Sequence, residues 1–574
     1  MGAFFLLRPV DGADVEVRRA TLLAELERQG FRRPLRVDAA VGEIHLYPRL
    51  ATGARDAWVE SADRFCLAAG TLIYRRQTGA AALRRFLAEV EWPHIPWDDL
   101  CGQFCLLVGA GGALHLLTDR LGLYKVYRNA DASVVSSSFL AVAATAPRRT
   151  VDPQRAYEYV FQGTTFGTRT VLREVTLLDA DALLRVDAGG VSELALPPLS
   201  HGWREAGAAA LLDANLGALR RYFSTVAEIA AGGVSAALTG GYDSRLMLAL
   251  LRECGVTPHL YVYGADTDDD VRIARRIAAG EGLPLAHTNR RAGPRLDRDA
   301  FVAAVDTTFH AFDGYPVDGI VDDGSDLATR RARCRGGALA LNGIGGELYR
   351  RPDLPNRPHS VREVVWRFFC GFDPLDCTGA FHEDEYCTAI GRALQRALGT
   401  DDERLDRPLV SLVVPAFYYR FWVGRNCSVN NRFGRALQPF CDLPVVREAV
   451  RIPVAPRAYG ALEAALIRAV DPRLAGYESR YGHDFMHPPP PAQVAHEWRN
   501  TVRPAVLFRY GFAPRQGARP WWLEAASIAA LVDPKLPYLR RLFHLERRFS
   551  ARRCNRIVTL EYLFERCGAV ECGA

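Results

Sequence analysis

The chain is nearly without lysine. Lys125 and Lys535 are the two lysines among its 72 lysine and arginine residues, so arginine carries almost all of the positive charge. Chemistry that needs an amine side chain therefore has few candidates. The formal net charge is only +6 over 574 residues and is spread along the chain, which predicts no nucleic-acid partner and no binding to an anionic membrane.

Disulfide, zinc and membrane patterns are also missing. The thirteen cysteines are scattered and never occur in C-x-x-C spacing, so neither a zinc site nor a disulfide framework is indicated. No apolar run reaches about 18 residues, and the apolar start before Arg8 is too short for a signal peptide. We therefore expect a cytoplasmic protein with reduced thiols.

Length and composition bound the architecture. A chain of 574 residues is too long for one hydrophobic core, and about 150 residues per domain predicts two to four domains. Apolar and charged fractions of 49% and 24% are typical of a soluble globular protein. The chain has no G-x-x-x-x-G-K-[ST] and no G-x-G-x-x-G spacing, which disfavours the Walker NTPases and the dinucleotide-binding folds.

The stretch at residues 234–250 reads VSAALTGGYDSRLMLAL. Its small and apolar start predicts a buried strand, and Leu246, Met247 and Leu250 recur at helical spacing after a glycine turn. Glycines let the backbone approach an anion closely, and the start of a helix offers unpaired N–H groups and the positive end of its dipole. The order of strand, glycine turn and helix therefore predicts a phosphate site.

Asp243 lies in this turn. Its carboxylate would repel a bare phosphate, so its position makes sense when a divalent cation lies between the two. An ordinary strand-to-helix turn without a ligand is the alternative interpretation, because short motifs also match by accident.

The segment TGGYDS at residues 239–244 resembles the SGGxDS loop of the ATP pyrophosphatases, in particular of the asparagine synthetase and β-lactam synthetase branch. The resemblance implies that the loop binds ATP and its pyrophosphate. A second predicted strand, at residues 258–263, ends where this family holds adenine through backbone groups. The nucleotide-binding residues implied in this way are Leu238, Thr239, Gly240, Gly241, Asp243, Ser244, Val262, Tyr263 and Gly343.

A second glycine turn, NGIGGELYR at residues 342–350, follows a short predicted strand. Families of this type carry G-D-G-x-D-E there, and the Asp after the glycines binds the metal that bridges the ATP phosphates. Glu347 takes that place in this chain, and its carboxylate suits Mg²⁺. Asp243 and Glu347, at the carboxyl ends of neighbouring parallel strands, are predicted to hold Mg²⁺ together; a glutamate exposed on the surface is the alternative.

Residues 1–190 contain short alternating or β-branched runs and two predicted helices, at about 20–29 and 80–89. This pattern predicts an α+β domain of stacked sheets. The segment DRLGLYKVY at residues 119–127, followed by three serines at 136–138, resembles the class II glutamine amidotransferase domains. The resemblance implies an Ntn-hydrolase-like αββα sandwich.

The nucleophile of such amidotransferase domains is missing. They use an N-terminal cysteine whose own amine serves as the base, but Gly2 follows Met1 and no cysteine precedes Cys66. We therefore expect a glutaminase-like domain without hydrolytic activity, retained for structure or for shaping the second active site. A wrongly assigned start codon is the alternative, although the apolar residues 2–7 already supply the expected first strand.

The rest of the chain is expected to form an α/β domain. Pro197 and Pro198 mark residues 191–205 as a linker, and alternating strand and helix patterns from residue 206 predict a parallel sheet. We assign residues 206–574 to an ATP-pyrophosphatase-type domain, of the adenine nucleotide alpha hydrolase kind, whose last third is helical. Residues 462–472 resemble the family's K-x-x-L-R segment, in which Arg468 matches the arginine and Ala464 stands where the family has lysine.

These resemblances, to asparagine synthetase, β-lactam synthetase and lasso-peptide cyclase, imply an ATP- and Mg²⁺-dependent amide ligase. A small-molecule or peptide carboxylate would be adenylated with release of pyrophosphate and then coupled to an amine, with AMP as leaving group. Natural-product or peptide biosynthesis is the expected setting, and a homodimer is left open. Glu347 and Arg468 are the predicted catalytic residues, with Arg468 or another arginine neutralising charge in place of the lysine. The alternatives are asparagine synthesis from ammonia and an ATP-binding regulatory protein without catalysis.

Overall fold

The computed structural model describes residues 1–10, 14–53, 58–61, 64–91, 94–200, 208–290, 292–350, 357–508 and 519–570. Antiparallel sheets occupy the first third of the chain, and a parallel sheet follows. Among the helices of these residues, none is both long enough and apolar enough to cross a membrane.

Two antiparallel sheets are formed before residue 200. Their strands are β1 (Ala3–Leu7), β2 (Leu35–Ala39), β3 (Gly42–Tyr47), β4 (Trp58–Ser61), β5 (Arg64–Tyr74), β6 (Gln77–Thr78), β7 (Leu100–Ala110), β8 (Ala113–Thr118), β9 (Tyr127–Arg128), β10 (Val134–Ser136), β11 (Thr176–Leu177), β12 (Ala182–Asp187) and β13 (Gly190–Ala195). The first sheet has the order β11-β9-β10-β1-β3-β2, and the second has the order β13-β12-β8-β7-β5-β4 with β6 beside β5.

A parallel sheet follows in the chain. Its strands are β14 (Val234–Ala237), β15 (His259–Tyr263), β16 (Leu285–Thr288), β17 (Leu339–Leu341) and β20 (Ala436–Leu437), and a separate short pair consists of β18 (His359–Ser360) and β19 (Arg404–Leu405). The sheet order is β16-β15-β14-β17-β20. Strands β15 and β16 are added on one side of β14, and β17 is then added on the other side. The strand order therefore reverses between β14 and β17.

The α-helices surround these sheets and dominate the C-terminal third, as predicted. They are α1 (Val15–Arg28), α2 (Gly79–Glu89), α3 (Phe139–Thr145), α4 (Pro153–Gln162), α5 (Ala208–Ile229), α6 (Tyr242–Glu253), α7 (Asp269–Glu281), α8 (Arg298–Ala311), α9 (Ser325–Arg333), α10 (Val361–Phe368), α11 (Glu383–Leu398), α12 (Arg407–Leu412), α13 (Gly424–Phe433), α14 (Leu443–Ala449), α15 (Val454–Arg457), α16 (Ala461–Val470), α17 (Pro472–Ala475), α18 (Pro491–Val502), α19 (Ala525–Leu531) and α20 (Ala551–Cys567). A π-helix, Val413–Val423, connects α12 to α13.

The two antiparallel sheets share a hydrophobic core, and helices pack against them. Successive side chains of a strand point to opposite faces. Phe4 and Leu6 of β1 lie in the core between the sheets, together with Leu106 of β7, whereas Phe5 belongs to the core that contains Leu22 of α1. The first third of the chain therefore combines two antiparallel sheets with helices, and α2 packs on β5.

The antiparallel and parallel parts are joined by buried hydrogen bonds. The carboxylate of Asp442 accepts from the backbone N–H of Gly102 at 2.7 Å and from the hydroxyl of Tyr222 at 2.8 Å. Gln103 accepts from the backbone N–H of Gln438 at 3.1 Å. Because these groups are buried, losing one partner would leave the other without a hydrogen bond, so the two parts constrain each other.

The structure corrects the expected start of the linker. Residues 191–195, which the sequence placed in the linker, belong to strand β13 (Gly190–Ala195), which pairs along β12. The sequence did not predict this strand because β13 is an edge strand whose side chains are mostly exposed. Such a strand lacks the repeated buried positions by which strands are recognised. The last third of the predicted linker, residues 201–205, lies outside the described residues.

Candidate functional site

Two loops meet where the order of the parallel sheet reverses. TGGYDS follows β14 and runs into α6, and residues 342–350 follow β17 and contain a short 3₁₀ helix, Gly346–Tyr349. The strands β14 and β17 are parallel neighbours, with Ala236 opposite Leu341. In open parallel sheets the carboxyl ends of strands at such a reversal form a crevice that commonly binds ligands.

The backbone of the TGGYDS loop is held by short side chains. The N–H of Thr239 donates to the hydroxyl of Ser244 at 3.0 Å, and the N–H of Gly241 donates to the hydroxyl of Thr239 at 3.2 Å. The N–H of Gly240 donates to the carboxylate of Asp270 at 3.0 Å. Gly241 precedes α6 and has no side chain to cap it, so the first turn of α6 presents N–H groups of the kind that bind anions.

The two loops touch through glycine. A β-carbon on Gly343 would stand 3.2 Å from the backbone carbonyl of Asp243 and from the N–H nitrogen of Ser244. Only a residue without a side chain allows this close approach without displacement of the neighbouring backbone. The predicted residue Gly343 therefore sets the spacing between the loop that carries Asp243 and the loop that carries Glu347.

Three carboxylates surround one guanidinium group at this junction. Nη2 of Arg350 lies 2.9 Å from Oδ2 of Asp243 and 3.6 Å from Oε1 of Glu347. Nε of Arg350 lies 3.1 Å from Oε2 of Glu463, which is on α16. The predicted pair Asp243 and Glu347 is thus brought to one guanidinium, and Glu463 joins it from a third segment.

The carboxylates differ in their surroundings. Glu463 is completely buried, and burial together with the neighbouring Asp243 raises its pKa well above the ordinary range. Burial and Asp243 also raise the pKa of Glu347, while Arg350 acts in the opposite direction. When all three carboxylates are ionised, the single guanidinium leaves an excess of two negative charges, which a buried site tolerates poorly without a further cation.

The residues present fit a divalent cation. Oδ1 of Asp243 and Oε1 of Glu463 are buried and have no hydrogen-bond donor in the described part of the chain, whereas Oε2 of Glu463 lies 3.1 Å from Nε of Arg350. Those same described residues contain no group of three or more His, Cys, Asp or Glu side chains arranged to hold a metal. Mg²⁺ typically uses only one or two protein carboxylates and completes its shell with water and substrate phosphates, so two carboxylates suffice for it.

The predicted adenine residues lie on the strand beside this site. Val262 is buried, and Leu238 donates its N–H to the carbonyl of Tyr261 at 3.0 Å, which ties the start of the loop to β15. The hydroxyl of Tyr263 accepts from Nε of Arg333 at 2.8 Å, and the guanidinium of Arg290 lies 4.0 Å from the Tyr263 ring centre. Contact of Val262 and Tyr263 with a nucleotide stays a prediction.

The predicted catalytic residue Arg468 forms a hydrogen bond with a backbone carbonyl group. Its Nη1 donates to the carbonyl of Phe485 at 2.6 Å, and Phe485 stacks on Tyr242 at 3.8 Å between ring centres. The arginine that contacts the carboxylates is Arg350. A catalytic role for Arg468 stays a prediction.

Arg350 and Glu463 are site residues that the sequence prediction missed. Arg350 ends the second glycine segment, and Glu463 immediately precedes Ala464, which stands where the resembled family has lysine. An acidic residue in the helix ALEAALIRAV, where Arg468 is the only other charged residue, was an available signal, because an unpaired buried charge is costly.

No protein-family model and no curated protein matches the chain. Among solved structures, it is similar to glutamine phosphoribosylpyrophosphate amidotransferase from B. subtilis, solved with ADP and GMP, at 12% identity and a TM-score of 0.22, over 51% of this chain and 67% of that chain. It is also similar to a structure described as the allosteric regulatory enzyme of purine biosynthesis, at 9% identity and a TM-score of 0.22, over 70% of this chain and 88% of that chain. Likenesses at this TM-score are too slight to support an inference about fold or function.

Proposed function

We propose that the protein is an ATP-dependent ligase that activates a carboxylate as its adenylate and joins it to a nitrogen nucleophile. In this proposal the parallel part binds ATP as an asparagine synthetase-like domain. The antiparallel part is a glutaminase-like domain without hydrolytic activity. The observation that carries the proposal is the meeting of Asp243 and Glu347 at the guanidinium of Arg350, on two loops that follow adjacent parallel strands.

The loop chemistry supports nucleotide binding. Backbone N–H groups at the start of α6 would hold phosphate oxygens, and Gly343 lets the second loop approach the backbone of Asp243 closely. Asp243 and Glu347 would hold Mg²⁺, which supplies Lewis-acid stabilisation of the departing pyrophosphate when it is bound. Arg350 limits the repulsion between the carboxylates before the nucleotide enters.

The first cysteine of the chain supports a nitrogen source other than glutamine. Cys66 is the first cysteine of the chain, and it is fully buried in β5, where burial raises the pKa of its thiol. A buried thiol with a raised pKa is a poor nucleophile. Glutamine hydrolysis is therefore not part of the proposal, and a substrate amine or free ammonia supplies the nitrogen.

Exchange of labelled pyrophosphate into ATP tests the adenylation step. The full-length protein is incubated with ATP, Mg²⁺, labelled pyrophosphate and a panel of acids that includes aspartate and peptide carboxylates. We expect exchange that depends on one of the acids, that is lost in Asp243→Ala and that persists in Cys66→Ala. Equal exchange in the wild type and in Asp243→Ala would contradict the proposed role of the loop.

The same assay separates the alternative functions. Exchange with aspartate, followed by asparagine formation from ammonia, would identify an ammonia-dependent asparagine synthetase. Binding of ATP without exchange for any acid would favour the regulatory alternative. Neither result depends on a thiol, so Cys66→Ala serves as the folding control in both cases.

A further inference from the structure

Two buried thiols meet where α10 and α11 pack together. Sγ of Cys370 lies 3.4 Å from Sγ of Cys387, and both side chains are buried. Cys387 lies in the first half of α11, and Cys370 follows the end of α10 by two residues. Among the twelve cysteines in the described part of the chain, this is the only pair whose sulfur atoms form a hydrogen bond with each other. The two sulfurs are therefore positioned to react with each other.

Other buried thiols of the chain have oxygen acceptors instead. Sγ of Cys427 donates to Oε1 of Gln438 at 3.0 Å, and Sγ of Cys441 donates to the carbonyl of Ile344 at 3.3 Å. Such contacts satisfy a buried thiol without bringing a second sulfur near it. The pair on α10 and α11 differs from these cysteines because the partner of each thiol is itself oxidisable.

The backbone around the pair permits a disulfide bond. A disulfide requires an S–S distance of about 2.05 Å, so the two sulfurs must approach each other by about 1.4 Å. Cys387 is held in α11 by neighbours such as Tyr386 and Ile390, which are buried in the core. Cys370 lies outside regular secondary structure, between α10 and the 3₁₀ helix Pro374–Asp376. The segment that carries Cys370 can therefore supply the movement without unwinding a helix.

The contact also makes one thiol more reactive than the other. The hydrogen bond from Cys370 lowers the pKa of the Cys387 thiol, although burial and the carboxylate of Glu383 act in the opposite direction. The same hydrogen bond raises the pKa of Cys370. Because the thiolate is the nucleophilic form of cysteine, Cys387 is the member of the pair that reacts first.

We propose that Cys370 and Cys387 form a modification site at which a peroxide converts the two thiols into a reversible disulfide. The Cys387 thiolate attacks a peroxide oxygen, the O–O bond breaks, and a sulfenic acid forms on Cys387 while the released hydroxide takes up a proton to give water. The Cys370 sulfur then attacks the Cys387 sulfur, and the hydroxyl group leaves with the Cys370 proton as a second water. The two thiols lose two electrons in total, and the peroxide gains them.

The disulfide is reversible and does not depend on the proposed ligase activity. Two molecules of a small thiol such as glutathione restore the reduced pair by exchange and become a disulfide themselves. Neither cysteine lies on the loops that follow β14 and β17. The cross-link would join the segment after α10 to α11, which also packs against the π-helix Val413–Val423.

Peptide mapping after mild oxidation tests the pair. The full-length protein is reduced, freed of reductant and exposed under native conditions to hydrogen peroxide, a small oxidant suited to buried thiols. Remaining thiols are blocked with N-ethylmaleimide in denaturant, and the digest is analysed by mass spectrometry without reduction. Wild type, Cys370→Ser, Cys387→Ser and Cys427→Ser are compared. Cys427→Ser is the matched control, because it removes a buried thiol whose partner is an oxygen.

We expect a peptide that links Cys370 to Cys387 to be the main disulfide of the wild type and of Cys427→Ser, and to disappear after treatment with glutathione. With dimedone present during oxidation, Cys370→Ser should accumulate the adduct of a sulfenic acid on Cys387. Cys387→Ser should form neither the disulfide nor an adduct on Cys370. Thermal unfolding of the reduced proteins checks that each variant folds.

The wild type alone can overturn the inference. Absence of the linked peptide in the folded protein, its formation only after unfolding in urea, or another cysteine pair as the main disulfide would each do so. A dimedone adduct on Cys370 in place of Cys387 would contradict the proposed order of attack. Because the first three outcomes need no variant, a serine substitution that prevents folding does not remove the test.

Discussion

The hydroxyl of Tyr419 donates a 2.9 Å hydrogen bond to the carbonyl of Gly345, inside the loop that carries Glu347. Tyr419 lies on the π-helix Val413–Val423, and the next residue, Arg420, forms an ion pair with Asp181 of the antiparallel part. A π-helix is rare in proteins, and those that occur are often found at functional sites. This helix therefore connects the antiparallel part to the site loop through two consecutive side chains.

Tyr419→Phe is expected to loosen the site loop. The buried carbonyl of Gly345 would lose this donor and keep the N–H of Leu348 at 3.3 Å, at a cost of about 0.5 to 1.5 kcal/mol. We expect the unfolding temperature to fall and pyrophosphate exchange to decrease by roughly tenfold, since small displacements at a site lower rates strongly.

A second tyrosine provides the control for this change. The hydroxyl of Tyr157 also donates to a buried carbonyl, that of Leu542, at 3.3 Å, but it lies away from the site loop. Tyr157→Phe should lower the unfolding temperature by a similar amount and leave exchange unchanged. Equal loss of exchange in both variants would show that Tyr419 acts through general stability alone.

The sequence predicted the elements around the site because their signals are local. A predicted strand at 258–263 is found at His259–Tyr263, and the helix after the glycine turn is found at Tyr242–Glu253. Their apolar spacing and glycine positions are contained within a few residues. A local signal also accounts for α8 (Arg298–Ala311), in which Phe301, Val305 and Phe309 recur at helical spacing on its buried side.

The arrangement of Asp243, Glu463 and Arg350 could not be predicted in the same way. These residues come from three segments more than a hundred residues apart, and no local pattern specifies which side chains of distant helices and loops meet. The pairing of Asp243 with Glu347 was predictable only because parallel strands place their carboxyl ends at one edge. Glu463 lies on helix α16 and not at the end of a strand of this sheet, so the same rule does not place it near Asp243.

Gly343→Ala is expected to separate the two site loops. Its methyl group would stand 3.2 Å from the backbone of Asp243, so one loop must shift by a few tenths of an ångström. We expect nucleotide affinity and pyrophosphate exchange to fall by roughly ten- to a hundredfold, with the fold retained. The matched control is Gly379→Ala, because a β-carbon on Gly379 meets no atom within 4 Å; loss of exchange in both variants, or in neither, would contradict the role of Gly343.

Lys125 is expected to titrate far below the ordinary range of lysine. It is buried between the two parts of the chain, where its Nζ donates to the carbonyls of Gly122 and Arg420 at 2.9 and 2.6 Å. Burial and the nearby charge of Arg420 lower its pKa from 10.5 to about 7, although Asp119 acts in the opposite direction. Because Lys125 is one of only two lysines, labelling with ¹⁵N-lysine and the variant Lys535→Arg would assign its NMR signal directly.

This pKa shift has a consequence for stability. Between about pH 7 and 10.5 the unfolded chain binds more protons at Lys125 than the folded chain does, so this residue makes the free energy of unfolding rise with pH by up to about 1.4 kcal/mol per unit. Its neutral form is favoured in the fold, and stability is lost as the pH falls towards 7. We expect urea midpoints between about pH 7 and 9 to rise less steeply in Lys125→Met than in the wild type. A Lys125 signal that remains that of a charged amine at about pH 9, with parallel midpoint curves for both proteins, would contradict this expectation.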